Sequence, residues 1–211
     1  TGHCRDSSVV MGICYAVSKG VQAKVLNLSL GSFINSPIAE GAIRDVGLEN
    51  AVAVASAGNT REFPEGHVDY NRTIYPAAFA GDARLRLENL ISTGAVDQSL
   101  QYASFATANK FVDIVAPGES VATFKRDGSV FTNLGGGTSY AAPFVSGTAA
   151  LMYSKNPNVA ARAVKKYILG TAQASGCSAP NLTPSSLMFP TDANACGRGL
   201  LNVSDAIKAT P

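Results

Sequence analysis

Charge is scarce in this 211-residue sequence: Asp, Glu, Lys and Arg make up 15%, and 17 basic against 15 acidic side chains leave a net charge of +2. Both signs are mixed along the chain, so no basic stripe or acidic tail marks nucleic acid or a membrane surface as a partner. No apolar run reaches the roughly 18 residues that span a bilayer, and residues 1–20 lack the basic, apolar and small-residue regions of a signal peptide. Histidine occurs twice, as His3 and His67. The four cysteines, Cys4, Cys14, Cys177 and Cys196, include no closely spaced pair followed by another, which excludes a metal knuckle and a dense disulfide scaffold. No internal repeat is evident.

What is present is a core. At 46% hydrophobic, the chain is long enough to bury one, and it fits one domain better than two. Its polar, turn-like opening, Thr1-Gly2-His3-Cys4-Arg5-Asp6-Ser7, runs straight into a helical pattern, as a mature or truncated chain would. Cys177 and Cys196 bracket a Pro/Ser/Asn-rich loop and are the expected disulfide, which implies an oxidising compartment and a secreted protein. Cys4 and Cys14 flank a helix start and either pair elsewhere or stay free. Of the Asn-X-Ser/Thr triplets, Asn27 reads as part of a buried strand, while Asn71 and Asn181 lie in loop-like sequence open to glycosylation.

Apolar residues at spacings of three and four over 7–19 give an amphipathic helix, with Ser7 or Ser8 as N-cap and Gly20 beyond its end. A strand over 23–30 ends at Gly31; Ser36-Pro37 then opens a helix to 49, and 51–57 is a second strand, apolar on both faces. Residues 60–86 read as a long surface loop, with an insertion around 81–88. Strands follow at 90–96 and 112–115, with a shorter one at 129–132. After the 135–137 glycines comes a helix too uniformly apolar for a surface, then helices at 158–169 and 202–209. This alternation predicts an α/β fold with a mainly parallel sheet covered by helices on both faces.

The chemistry concentrates at Gly137-Thr138-Ser139. A serine hydroxyl is a poor nucleophile; a place in the first turn of a helix, after glycines, exposes it beside unpaired backbone N–H groups and the positive end of the helix dipole. Pro143 is expected in that first turn, where its missing N–H has no intrahelical partner. An ordinary glycine-rich helix cap remains the alternative reading of these residues alone.

Six segments in order resemble the subtilisin-like serine proteases, including the proteinase K branch. Gly137-Thr138-Ser139-Tyr140-Ala141-Ala142-Pro143 is similar to the family's nucleophile motif, with Tyr where Met is commoner. Ala55-Ser56-Ala57-Gly58-Asn59 resembles the strand end that carries the oxyanion-hole asparagine, and Val25-Leu26-Asn27-Leu28-Ser29-Leu30-Gly31 the substrate-binding strand. Thr93-Gly94-Ala95-Val96-Asp97, Ala103-Ser104-Phe105 and Val112-Asp113-Ile114-Val115-Ala116-Pro117-Gly118 complete the set. The resemblance implies a three-layer fold with one incomplete peptidase domain over 1–211, acting on protein or peptide substrates and needing no cofactor for catalysis. Ser139 is then the acyl-forming nucleophile and Asn59 the side-chain donor to the oxyanion. Ser29, Leu30 and Gly31 pair with an extended peptide, Ala57 and Gly58 wall the pocket for the side chain before the scissile bond, and Gly137 and Thr138 adjoin the substrate.

The family's chain order is Asp, His, Ser, and neither an Asp-Thr/Ser-Gly nor a His-Gly-Thr-His segment occurs here. His3 and His67 read as loop residues, not as the general base. A truncated precursor, a processed piece that stays with its N-terminal partner, and a pseudoenzyme retaining only a peptide-binding groove all account for this; the first is the expectation, with the missing N-terminal segment as partner. The resemblance also places Asp113 where proteinase K-like members hold a structural calcium, with carbonyls near Glu88 and Leu90 as companions; a turn or cap role is the alternative.

Overall fold

The structure, a computed structural model, describes residues 4–64, 67–85, 87–133, 135–174, 177 and 195–211. Helix α1 spans Asp6–Val17, strand β1 Val25–Leu28, α2 Pro37–Leu48 and β2 Val52–Ser56. Strands β3 Leu90–Val96, β4 Ile114–Pro117, β5 Val121–Phe124 and β6 Val130–Asn133 follow, then α3 Thr138–Lys155, α4 Ala161–Gly170 and α5 Val203–Ala209. The expected long loop holds two 3-10 turns, Thr60–Glu62 and Ala77–Gly81.

Strands β1 to β4 form one sheet in that order, every pair parallel, while β5 and β6 make a separate antiparallel hairpin. A parallel sheet needs covering on both faces, and the strand pattern supplies it by alternation. Ala53 and Ala55 of β2 point with Leu26 and Leu28 into a core closed by Ile43 and Val46 of α2 and Ile13 and Val17 of α1. Val52 and Val54 point the other way, into a core with Ala142, Val145 and Met152 of α3 and Val164 and Ile168 of α4. Ile43, Val46, Val54 and Ile168 are all 0% exposed, each worth about 1.5–3 kcal/mol of burial.

Local chemistry sets the element ends. Ser36 caps α2, its Oγ accepting from Ala39 N–H at 3.4 Å ahead of Pro37, and Asn202 caps α5 through Asp205 N–H at 3.0 Å. α1 starts at Asp6, after an Arg5 that makes no side-chain cap, instead of at Ser7 or Ser8. β4, expected over 112–115, runs from Ile114 to Pro117, its last residue. Asn71, expected in an open loop, is 0% exposed, its Nδ2 donating to Ala108 O at 2.9 Å and its Oδ1 accepting from Ala108 N–H at 2.7 Å. Asn27, expected in a buried strand, is exposed because β1 is the edge of the sheet. Asn181 lies outside the described residues.

Candidate active site

In parallel α/β sheets the strands' carboxyl ends face the place where ligands bind, and every element of the site leaves the sheet there. Ser29, Leu30 and Gly31 extend β1; Ala57, Gly58 and Asn59 extend β2; Gly118 follows β4. The α3 N-terminus meets them, tied to the β4 end by Gly137 N–H donating to Gly118 O at 2.8 Å. Gly136, at φ +77, makes that approach possible, since a Cβ there would stand 2.6 Å from Gly118 O.

Ser139 is the second residue of α3, in the turn whose amides lack intrahelical acceptors, and is half-buried. Asn59 stands beside it. Its Oδ1 accepts from both the N–H and the hydroxyl of Thr138, each at 3.0 Å. With the oxygen consumed, the NH₂ group remains for other partners, and it lies over Gly137: a Cβ on that glycine would be 3.2 Å from Asn59 Nδ2. Thr138 Oγ1 also accepts from Gly58 N–H at 3.1 Å. Thr138, expected to adjoin substrate, is 1% exposed, and its hydroxyl orients Asn59 instead.

Pro143 falls in the second turn of α3, not the first, so the amide it lacks would have bonded the Ser139 carbonyl. Ser29 Oγ takes that place, donating to Ser139 O at 2.9 Å. Asn27 Nδ2 donates to Ser29 Oγ at 2.9 Å, and Ser146 Oγ to Asn27 Oδ1 at 2.9 Å, closing a chain from α3 through β1 and back. Asn27 was read from sequence only as a strand residue and Ser146 was not singled out, because α3 and β1 are brought together only by the fold.

Leu30 and Gly31 are exposed along the β1 extension, and a cavity of about 350 Å³ lies beside them, floored by Val9 and Ile13 of α1. Ala57 is buried and continues the β2 pairing through its N–H to Thr93 O at 2.9 Å, whereas Gly58 is partly open. His67 is exposed; its ring stacks on Phe63 at 4.9 Å and its Nδ1 accepts from Asp69 N–H at 3.1 Å, so its partners are those of its own turn. His3 lies outside the described residues.

Asp113 and Leu90 do converge, but on an ammonium. Lys165 Nζ donates to Leu90 O at 2.6 Å and to Asp113 Oδ2 at 3.0 Å, and Ser92 N–H donates to the same carboxylate oxygen at 3.0 Å. The oxygens expected for calcium are thus claimed by a fixed cation that repels a second one, and these residues do not fit a divalent ion. Burial pushes the Asp113 carboxyl above its usual range, against the opposing pull of Lys165 and the Ser92 N–H. The described residues contain no group of three or more His, Cys, Asp or Glu able to hold a metal. The expected disulfide forms between Cys177 and Cys196, with Cα atoms 6.1 Å apart; Cys4 and Cys14 are free and exposed. Among the described residues no helix is long and apolar enough to cross a membrane.

Comparison with known proteins identifies the family and the fold. Subtilisin DY of Bacillus licheniformis is 33% identical over 202 residues, which cover 95% of this chain and 62% of the relative. Subtilisin Savinase of Lederbergia lenta is 34% identical over 96% of this chain, again 62% of its own length. The chain therefore spans about 62% of these curated relatives. Among solved structures, the self-cleaved protease domain of PatA superposes with a TM-score of 0.70 at 25% identity, covering 95% of this chain and 66% of that one. A protease of Pseudoalteromonas arctica, at 22% identity, shares the fold with a TM-score of 0.74 over 98% of this chain and 59% of its own. The family model described as the subtilase family matches residues 1–199, and the chain belongs to that family.

Proposed function

We propose that residues 1–211 are the nucleophile-bearing part of one serine endopeptidase domain, whose Asp and His come from polypeptide outside this chain. The observation that carries the proposal is the Asn59 carboxamide, turned by Thr138 so that its NH₂ group lies over Gly137, next to Ser139. A peptide laid along Ser29, Leu30 and Gly31 presents its carbonyl to this corner. Ser139 Oγ adds to the carbonyl carbon while the base takes its proton, and the oxyanion receives hydrogen bonds from Asn59 Nδ2 and the first-turn amide. Collapse breaks the C–N bond, the amine leaves with the proton, and water then hydrolyses the Ser139 ester by the same steps in reverse roles.

Unpartnered surface supports a docking segment of the same domain. β1 pairs only with β2 among the described strands, and α3 leaves Phe144 and Leu151 exposed, at 40% and 51%. The subtilisin relatives support protein substrates, and the Cys177–Cys196 bridge supports an oxidising, extracytoplasmic setting. Treating the full-length protein with a serine-directed phosphonate is expected to give one adduct, on Ser139. Folded protein that takes up none would instead favour a peptide-binding module without catalysis.

A further inference from the structure

Beyond their last paired residues, Leu28 and Ala55, the β1 and β2 extensions carry Gly31 and Gly58; on the protease reading, a bound peptide's side chain enters between these two glycines when its carbonyl lies at Ser139 and Asn59. Gly31 faces the gap from one wall and Gly58 from the other. A Cβ on Gly31 would run into Ile74 Cγ2, and a Cβ on Gly58 would run into Ile74 Cγ1. Both glycine faces are therefore covered by one side chain, which occupies the space between them.

Ile74 is held there from several sides. The next residue, Tyr75, bridges to Ser32 on the β1 extension, each N–H donating to the other's carbonyl at 2.9 Å. Ile74 O accepts from Ala78 N–H at 2.9 Å, anchoring the segment to the following 3-10 turn. A β-branched side chain has little rotamer freedom with which to swing aside. The hydroxyl beside Gly58, Thr107 Oγ1, belongs to a residue that is 0% exposed and is engaged by both the N–H and the hydroxyl of Thr60, at 3.1 and 2.7 Å, so it offers nothing to a charged substrate side chain.

We propose that Ile74 fills the pocket for the residue preceding the scissile bond, so that the protease cleaves after glycine, alanine or serine and rejects aromatic and long aliphatic residues there. This rests on the protease reading of the site. A single methylene in an apolar pocket is worth about 10- to 200-fold in kcat/KM, and a phenyl ring exceeds the space beside Ile74 by several carbons.

The test uses the full-length protein and tetrapeptide p-nitroanilides that differ only in Ala or Phe before the scissile amide, with phosphonate labelling of Ser139 measured alongside. The wild type is expected to favour Ala by at least about 10²-fold in kcat/KM. Ile74→Ala is expected to raise the Phe/Ala ratio of kcat/KM by about 10- to 200-fold; Ile74→Val, which disturbs folding least, should move the ratio the same way by less. A wild type that prefers Phe, or variants that leave the Ala/Phe ratio unchanged while Ser139 still labels, would overturn the role of Ile74 and leave the protease reading standing. Folded protein with neither hydrolysis nor labelling would overturn both.

Discussion

The Ser29 hydroxyl donates to the Ser139 carbonyl at 2.9 Å, the position left without a helical donor by Pro143. The main chain of the proposed nucleophile is thereby pinned to the strand expected to carry substrate. Ser29→Ala leaves that carbonyl without either donor, a loss of about 1–3 kcal/mol if no water replaces it. The phosphonate labelling rate of Ser139 is expected to fall by roughly 5- to 150-fold, the same energy expressed as a rate. Pro143→Ala restores an amide to the helix and should recover most of the rate in the Ser29→Ala background while changing the wild type little. Equal effects of Pro143→Ala in both backgrounds would show that the two groups do not share this carbonyl.

Asn59→Ala removes the proposed side-chain oxyanion donor. In the full-length protein kcat is expected to fall by on the order of 10² to 10³ with KM nearly unchanged, the magnitude known for the same donor type in subtilisin itself. Thr138→Val frees Asn59 Oδ1 from one of its two restraints and should lower kcat in the same direction by less. A rise in KM with constant kcat in Asn59→Ala would place the carboxamide in ground-state binding instead.

The sheet could be read along the chain because its strands are buried on both faces: every residue of β2 and β3 is buried, and small or apolar residues flank the polar Ser56, Ser92 and Thr93. β5 was not legible, since Val121–Phe124 alternates half-buried and exposed residues and is defined by its pairing with β6. Ser139 and Asn59 were recognisable from their local motifs. What holds them was not, because the partners are distant in sequence: Thr138 lies 79 residues from Asn59, and Ser29 lies 110 from Ser139. Asn71 misled for the same reason, its polar neighbours suggesting a loop while Ala108, 37 residues on, buries it. Lys165 could not be placed against Asp113 from sequence, so a carboxylate that faces an ammonium read as a metal ligand.

That pair gives a pH-dependent expectation. Asp113 binds its proton more tightly in the folded protein than in the unfolded chain, so stability falls as pH rises from the usual carboxylate range through the folded pKa. Lys165→Met removes the cation that opposes this and leaves a buried carboxylate unpaired. Its cost is expected to be small in acid, where Asp113 is protonated, and to grow to about 3–5 kcal/mol once Asp113 ionises. Urea unfolding of both proteins across pH 4 to 8 checks this; a cost that shrinks with rising pH would contradict it.

The Cys177–Cys196 bridge closes a loop of sequence separation 19. Replacing both cysteines by serine is expected to lower stability by about 3 kcal/mol, as chain entropy predicts for a loop of this size. Unchanged unfolding in the absence of reductant would remove the bridge from the folding energetics.

Most direct of all would be a crystal structure of the full-length protein with a peptide aldehyde added to the nucleophile. The expected result is a hemiacetal on Ser139 Oγ whose oxygen lies about 2.7–3.1 Å from Asn59 Nδ2, with the peptide main chain along Ser29, Leu30 and Gly31. An adduct on another residue, or one on Ser139 whose oxygen turns away from Asn59, would contradict the assignment.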